Sequence, residues 1–151
     1  MVIDFLLHDF EQFGDLTAII WKKKEFSYYW LLERTNYWKN RFSTQKLNSG
    51  TIVALEGDFT PETIACFLAL TVNNCIIVPQ ISFNRNNIAE KYEIAEVQFK
   101  VMIDQLEKVK IRKEKNIPVH NLTKEIINLG TPGLILFSSG TSGTPKGAVH
   151  D

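Results

Sequence analysis

The hydrophobic positions of this chain follow two alternating periods, which predict the order of its elements. Short apolar runs bounded by turn residues indicate buried strands at 51–55, 75–79, 99–103 and 134–137. Apolar residues at helical spacing separate the first three runs, from Thr60 to Val72 and from Asn86 to Val97. Strands that alternate with helices predict an α/β fold, an open, mostly parallel, doubly wound sheet with flanking helices.

The front of the chain predicts a different local arrangement. Residues 2–13 favour a short helix, and a strand at 16–21 turns through three lysines into a return strand at 25–26. Ser27 is a plausible N-cap for a helix that ends near Phe42. The lysines at 22–24 are interpreted as a solvated hairpin tip rather than a phosphate or nucleic-acid patch, because no other basic cluster supports them. The helix places Leu31, Thr35, Trp38 and Phe42 on one face, which is interpreted as a core contact.

The last third of the chain is less regular. The charged stretch 108–115 predicts a surface helix or loop, and 117–119 a short edge strand. Residues 131–133 introduce the apolar run at 134–137, and 148–150 predict the start of a further strand.

Charge and composition exclude several function classes. The 151 residues carry 17 basic and 17 acidic side chains, so nothing favours binding to nucleic acid or to an anionic membrane. No apolar run approaches the ~20 residues of a membrane span, and the acidic start does not match a signal peptide, which predicts a cytoplasmic protein. Cys66 and Cys75 lie in apolar segments and are interpreted as buried free thiols, with a disulfide or metal role as the alternative.

A loop of small residues follows the last apolar run. Glycines allow backbone N–H groups to converge on an anion, hydroxyls add donors without bulk, and a lysine adds positive charge. The candidate phosphate-binding residues are Ser138, Ser139, Gly140, Thr141, Ser142, Gly143, Thr144 and Lys146. The loop is not a Walker loop, because Pro145 precedes the lysine and Gly147 follows it. It predicts strand–loop–strand, and an ordinary Ser/Gly/Thr linker is the alternative.

The stretch from Phe137 to Gly147 resembles the phosphate-loop signature of the AMP-forming, adenylate-forming enzymes. These are the acyl- and aryl-CoA ligases, the luciferases and the adenylation domains of peptide synthetases. The hydroxyl-Ser-Gly-hydroxyl-hydroxyl-Gly-x-Pro-Lys-Gly pattern is matched at every fixed position. The regions 27–42 and 51–79 are similar to the family in a weaker way.

The resemblance implies a two-step reaction. A carboxylic acid attacks the α-phosphate of ATP to give an acyl-adenylate and pyrophosphate, and a thiol such as coenzyme A then takes the acyl group. Lys146 and Mg²⁺ would stabilise the leaving pyrophosphate.

His150 lies where some branches of the family place a histidine near the acyl substrate, and a packed strand histidine is the alternative. Glu56 and Asp58 are candidates near a nucleotide or Mg²⁺, although Asp58 is better interpreted as helping the next helix to start.

The resemblance also implies that much of such an enzyme lies outside this sequence. Family members continue several-fold further, with the adenine, Mg²⁺ and acyl sites and a C-terminal lysine domain. Residues 1–151 are therefore expected to be the N-terminal portion of the large ATP-binding domain, inactive alone. The alternatives are a non-catalytic nucleotide-binding module and an inert unit whose sheet edges need a complementary chain or a second copy.

Overall fold

The computed structural model describes residues 3–81, 87–114, 121–138 and 145–150. The predicted edge strand at 117–119 lies outside these residues. The helices, in chain order, are α1 (Asp4–Phe13), α2 (Tyr28–Thr44), α3 (Pro61–Val72), α4 (Ile88–Ile94) and α5 (Asn121–Leu129). The strands are β1 (Thr17–Trp21), β2 (Lys24–Ser27), β3 (Ile52–Glu56), β4 (Ile76–Gln80), β5 (Phe99–Ile103), β6 (Val109–Lys113), β7 (Gly133–Ser138) and β8 (Lys146–His150).

The main sheet has six strands in the order β6-β5-β3-β4-β7-β8. The four central strands are parallel, since β3 pairs in parallel with both β4 and β5, and β4 pairs in parallel with β7. The outer strands β6 and β8 are antiparallel to their neighbours. This confirms the prediction of an open, mostly parallel α/β sheet.

Apolar side chains cover both faces of this sheet. On one face, Val53, Leu55 and Ile77 pack with residues of α1, α2 and α3. On the other, Ile52, Ala54 and Ile76 pack around Tyr92 of α4, with Ile127 of α5 at the margin. The period-2 alternation of β3 thus sends successive side chains into two cores, which makes the sheet doubly wound.

Local capping explains where two of the helices begin. The Ser27 Oγ accepts a hydrogen bond from the Trp30 N–H at 3.1 Å, and the Thr60 Oγ1 accepts one from the Thr63 N–H at 3.2 Å. Pro61 occupies the first turn of α3, where its missing N–H has no cost. The helical stripe predicted from residue 31 to residue 42 is buried at all four positions.

The lysine turn at the front of the chain is a hairpin tip, as predicted. Lys22 and Lys23 both adopt left-handed conformations, with φ of 49° and 64°, between the antiparallel strands β1 and β2. The Lys22 ammonium lies 4.0 Å from the centre of the Trp21 ring.

The prediction for 108–115 was wrong. Residues 109–113 form β6, which pairs along its whole length with β5 in an antiparallel hairpin. The strand was missed because alternate positions of an edge strand lie in solvent and can carry charged side chains. Lys110 and Arg112 are exposed, whereas Val109 and Ile111 are half-buried. Helix α5 was not predicted, and α4 is shorter than the predicted 86–97.

Candidate functional site

The structure places the two ends of the predicted phosphate loop side by side. Strands β7 and β8 form an antiparallel hairpin in which Ser138 pairs with Lys146 and Phe137 with Gly147. The remaining predicted phosphate-binding residues, 139–144, lie outside the described residues. The hairpin agrees with the expected strand–loop–strand.

Gly147 has a structural role in this hairpin. A Cβ at this position would lie 3.3 Å from Cε1 of Phe137 and 3.4 Å from Cγ2 of Ile135. These contacts are tighter than ordinary van der Waals packing, so a glycine lets the Phe137 ring lie against the backbone of β8. The glycine after the lysine therefore fixes how the two strands pack.

Ser138 and Lys146 are exposed and lie on the same face of the sheet as α1, α2 and α3. Alternation along β7 puts Ser138 on the side of Leu134, which packs in the core beneath these helices. Lys146 is its partner across the hairpin and shares that side. Ser138 is the last residue of β7, so both groups lie at the carboxyl edge of the parallel strands, where ligands bind in open α/β sheets.

The turn after β3 lies at the same edge. The Gly57 N–H donates to the Gln80 carbonyl at 3.0 Å, which ties the end of β3 to the end of β4. A Cβ on Gly57 would lie 2.8 Å from Oγ1 of Thr63, so this close approach of turn to helix requires glycine. Asp58 takes part in the helix start through its carbonyl, which accepts from the Thr60 N–H at 2.7 Å. Glu56 and Asp58 are both half-buried.

A buried ionic cluster, which the sequence did not predict, fixes the first turn of α3. The Glu62 side chain is only 6% exposed and accepts hydrogen bonds from Nε and Nη2 of Arg34 and from Nε1 of Trp38, the last at 2.6 Å. The Glu62 N–H donates to the Glu107 carboxylate at 3.1 Å. The hydrogen bond from Arg34 to Glu62, together with their charge attraction, raises the pKa of the Arg34 guanidinium despite its partial burial.

This cluster fixes the position of the first turn of α3, and none of the predicted phosphate-binding residues belongs to it. It links α2, the start of α3 and the β5–β6 turn, so the turn after β3 is held from three sides. The signal that could have found it was the pair Arg34 and Trp38, four residues apart on the inner side of α2.

The cysteines are free and buried, as predicted. Burial raises the pKa of the Cys75 thiol to about 12. Burial, and to a lesser degree the charge of Glu62, raises the pKa of the Cys66 thiol as well. Among the described residues, no three His, Cys, Asp or Glu side chains cluster in a way that would hold a metal ion. Within the same residues, no helix has the length and apolar character needed to cross a bilayer.

No family model matches the sequence, and no curated protein matches it. Several solved structures, however, match the fold of this chain. The Klebsiella oxytoca NpsA N-terminal subdomain in complex with 3-hydroxyanthranilyl-AMSN matches with a TM-score of 0.72 and 21% identity, over 96% of this chain and 39% of its own length. NpsA–ThdA, an artificially fused adenylation–PCP di-domain NRPS from the same organism, matches with a TM-score of 0.73 and 21% identity, over 96% of this chain and 31% of its own.

A third structure, VinN with 3-methylaspartate, matches with a TM-score of 0.69 and 14% identity, over 96% of this chain and 46% of its own length. The chain thus spans less than half the length of these structures. It has the fold found within the N-terminal subdomain of an adenylation domain, which confirms, for the fold, the predicted resemblance to adenylate-forming enzymes.

Proposed function

We propose that residues 1–151 are the phosphate-binding front portion of the large domain of an AMP-forming carboxylic acid ligase. The observation that carries this proposal is the pairing of Ser138 with Lys146 at the carboxyl edge of the sheet, at the two ends of the signature loop. The NpsA match supports it, because NpsA was solved with anthranilyl-AMSN, an adenylate analogue, as well as with the 3-hydroxyanthranilyl compound.

In this proposal the chain binds the β- and γ-phosphates of ATP. Lys146 supplies a positive charge and Ser138 a hydroxyl donor, and residues 139–144 supply the backbone and hydroxyl donors between them. Together they withdraw charge from the pyrophosphate as it leaves, while a small carboxylic acid becomes an acyl-adenylate. A thiol such as coenzyme A is the acceptor of the acyl group.

The described residues fit the nucleotide phosphates better than they fit a metal ion. They offer an exposed lysine beside an exposed hydroxyl, and no cluster of metal-binding side chains. Mg²⁺ would therefore arrive with ATP, where it neutralises phosphate charge. The buried free thiols of Cys66 and Cys75 support a reducing compartment, the cytoplasm.

Binding of ATP by the 151-residue chain tests this proposal. Lys146→Ala should weaken ATP binding about tenfold or more, since a hydrogen bond to a charged group contributes roughly 1.5–3 kcal/mol. Titration calorimetry with ATP measures the loss. Lys23→Ala, an exposed lysine at the β1–β2 tip, is the matched control and should bind like the wild type.

Equal binding by the wild type and Lys146→Ala would contradict the proposed role of the loop. A second measurement addresses the chain as an incomplete enzyme. Purified residues 1–151 should show no ATP–pyrophosphate exchange with a panel of carboxylic acids, and measurable exchange would show that the chain needs no further domain. ATP binding that depends on Lys146, in a longer protein that also lacks exchange, would favour the non-catalytic binding module.

A further inference from the structure

No described strand pairs with the outer edge of β6. The strand lies at one end of the sheet order, and its partner there is β5. Two backbone hydrogen bonds close the β5–β6 ladder, from the Glu114 N–H to the Gln98 carbonyl at 2.8 Å and from the Asp104 N–H to the Lys108 carbonyl at 3.2 Å. These two bonds fix which residues of β6 direct their backbone groups toward β5.

Hydrogen-bonded pairs alternate along an antiparallel ladder, so every second residue of β6 faces its partner strand. Counted from the two closing bonds, the backbone groups of Lys110 and Arg112 face β5. Those of Val109, Ile111 and Lys113 face outward, and no described residue forms a hydrogen bond with them. The edge therefore offers backbone donors and acceptors in the arrangement to which a further strand pairs.

A groove of about 520 Å³ lies between β6 and α2. Arg41 and Gln45 of α2 line one side of it, and residues 109–112 line the other. On this face of the sheet, Val109 and Ile111 are half-buried and pack against the core beneath α2. A strand added to β6 would extend the sheet and place every second side chain next to this groove.

The side chains around this edge are mainly basic. Lys110 and Arg112 lie on the face opposite α2, Arg41 lies across the groove, and Lys113 ends the strand. All four are exposed. Within the described part of the chain, the carboxylate in ion-pair contact with any of them is that of Glu114, 3.6 Å from Arg112. The edge therefore presents an excess of positive charge to an approaching strand.

A second copy of the chain does not suit this edge. Antiparallel pairing of two β6 strands centred on Ile111 would set Lys110 of each copy directly opposite Arg112 of the other. Like charges directly opposite each other destabilise a strand pair, whereas opposite charges stabilise it. The side chains that disfavour another β6 therefore favour an acidic strand.

We propose that the edge of β6 binds an extended acidic segment of a partner protein, which pairs with it as a seventh strand of the six-stranded sheet. The segment carries acidic side chains opposite Lys110 and Arg112, where opposite charges stabilise the pairing. It carries apolar side chains opposite Val109 and Ile111, next to the groove. This inference does not rest on the proposed function, because β8, which carries Lys146, lies at the other end of the sheet.

The test uses a capped, fluorescently labelled peptide of alternating valine and glutamate, about seven residues long, within the usual length of a strand. Fluorescence anisotropy with residues 1–151 measures its binding. A peptide with lysine in place of glutamate should bind at least tenfold more weakly. So should a peptide of the same composition with its glutamates in succession, because that order breaks the alternation between the two faces.

Charge reversal on the protein tests the position of the site. The double variant Lys110→Glu and Arg112→Glu changes two exposed side chains and should weaken binding of the alternating peptide at least tenfold. The double variant Lys24→Glu and Lys124→Glu, in β2 and α5, makes the same change in net charge at exposed positions away from β6. It is the matched control and should bind like the wild type, as should Lys146→Ala.

Amide hydrogen exchange, followed by NMR, separates strand addition from a general attraction between charges. Binding of the peptide should slow exchange at Val109, Ile111 and Lys113, whose N–H groups face outward. Exchange at Lys110 and Arg112 should change little, because their N–H groups already bond to β5. The inference is overturned by absent binding, by equal binding of the three peptides or of the two double variants, by unchanged exchange at the outward amides, or by dimerisation of residues 1–151 through β6.

Discussion

At the scale of single residues, Glu62 shows how a buried charge is accommodated in this fold. It is the second residue of α3, where a carboxylate also interacts well with the helix dipole. Its burial is made tolerable by two donor side chains, Arg34 and Trp38, and the Arg34 guanidinium lies 4.6 Å from the centre of the Tyr37 ring. The side chain is therefore saturated with partners, and its removal leaves a guanidinium without its counter-ion.

Glu62→Ala should lower the free energy of unfolding by about 2 kcal/mol, because the Trp38 Nε1–H and the partly exposed Arg34 guanidinium lose their hydrogen bonds to a buried carboxylate. Urea unfolding followed by circular dichroism measures the change. Glu33→Ala, on the exposed side of α2, is the control and should change stability little. Adding Arg34→Ala to Glu62→Ala should cost less than the sum of the two single changes, and strict additivity would refute the pairing.

The buried thiols predict a loss of stability in alkaline solution. The pKa of the Cys75 thiol is raised from 9.0 to about 12, so above pH 9 the unfolded chain releases this proton while the folded chain keeps it. Stability should therefore fall by about 1.4 kcal/mol per pH unit for this thiol as pH rises above 9, and be unaffected by it below. Urea unfolding between pH 7.5 and 10.5 measures the slope.

The matched variant is Cys75→Ala, which removes the group that titrates. Its stability should fall less steeply with pH than that of the wild type, whatever its stability at neutral pH. Parallel slopes for the two proteins would show that Cys75 does not cause the alkaline loss.

At the scale of elements, the strands that are buried on both faces were predicted to within one residue, and β6 was not. Strands β3 and β4 consist mainly of apolar residues because each face meets a core, and such runs are unambiguous. Strand β6 lies at the edge of the sheet, so only Val109 and Ile111 of its five residues are apolar and the other three are basic. The phosphate-binding role of residues 138–146 stays a prediction from residue types. The Glu62 cluster could not be predicted, because it depends on contacts between residues 28 positions apart, which no local pattern records.

Lys110 and Arg112 protect the exposed edge of β6. Charged side chains on an edge strand oppose the approach of a second sheet edge. Replacing both with valine should leave the fold intact and increase aggregation, measured by light scattering at a series of protein concentrations. The same replacement at Arg41 and Lys124, exposed cations on α2 and α5, is the control, since neither lies on an edge of the main sheet. Equal aggregation by both variants would refute the protective role.

At the scale of the whole molecule, the described helices cover the two faces of the sheet to different extents. Among the described residues, Ile135, Phe137 and Val149 pack into the core on one face of β7 and β8, whereas Leu136 on the other face is 43% exposed. The Ser138–Lys146 pair lies on the same side as Leu136. The sequence predicted the layers but not this asymmetry, because each apolar run indicates burial without indicating what covers it. The proposed phosphate site therefore lies on the more open side of the molecule.

The strand order has a consequence for how the protein is made. Strand β7 lies directly beside β4, yet β5, β6 and two helices come between them in the chain. During synthesis, β4 emerges from the ribosome long before its neighbour and keeps an unpaired apolar edge in the meantime. Such long-range parallel pairing is slow and exposes the nascent chain to aggregation. Translation pauses or chaperone supply during this interval should therefore change the yield of the native protein.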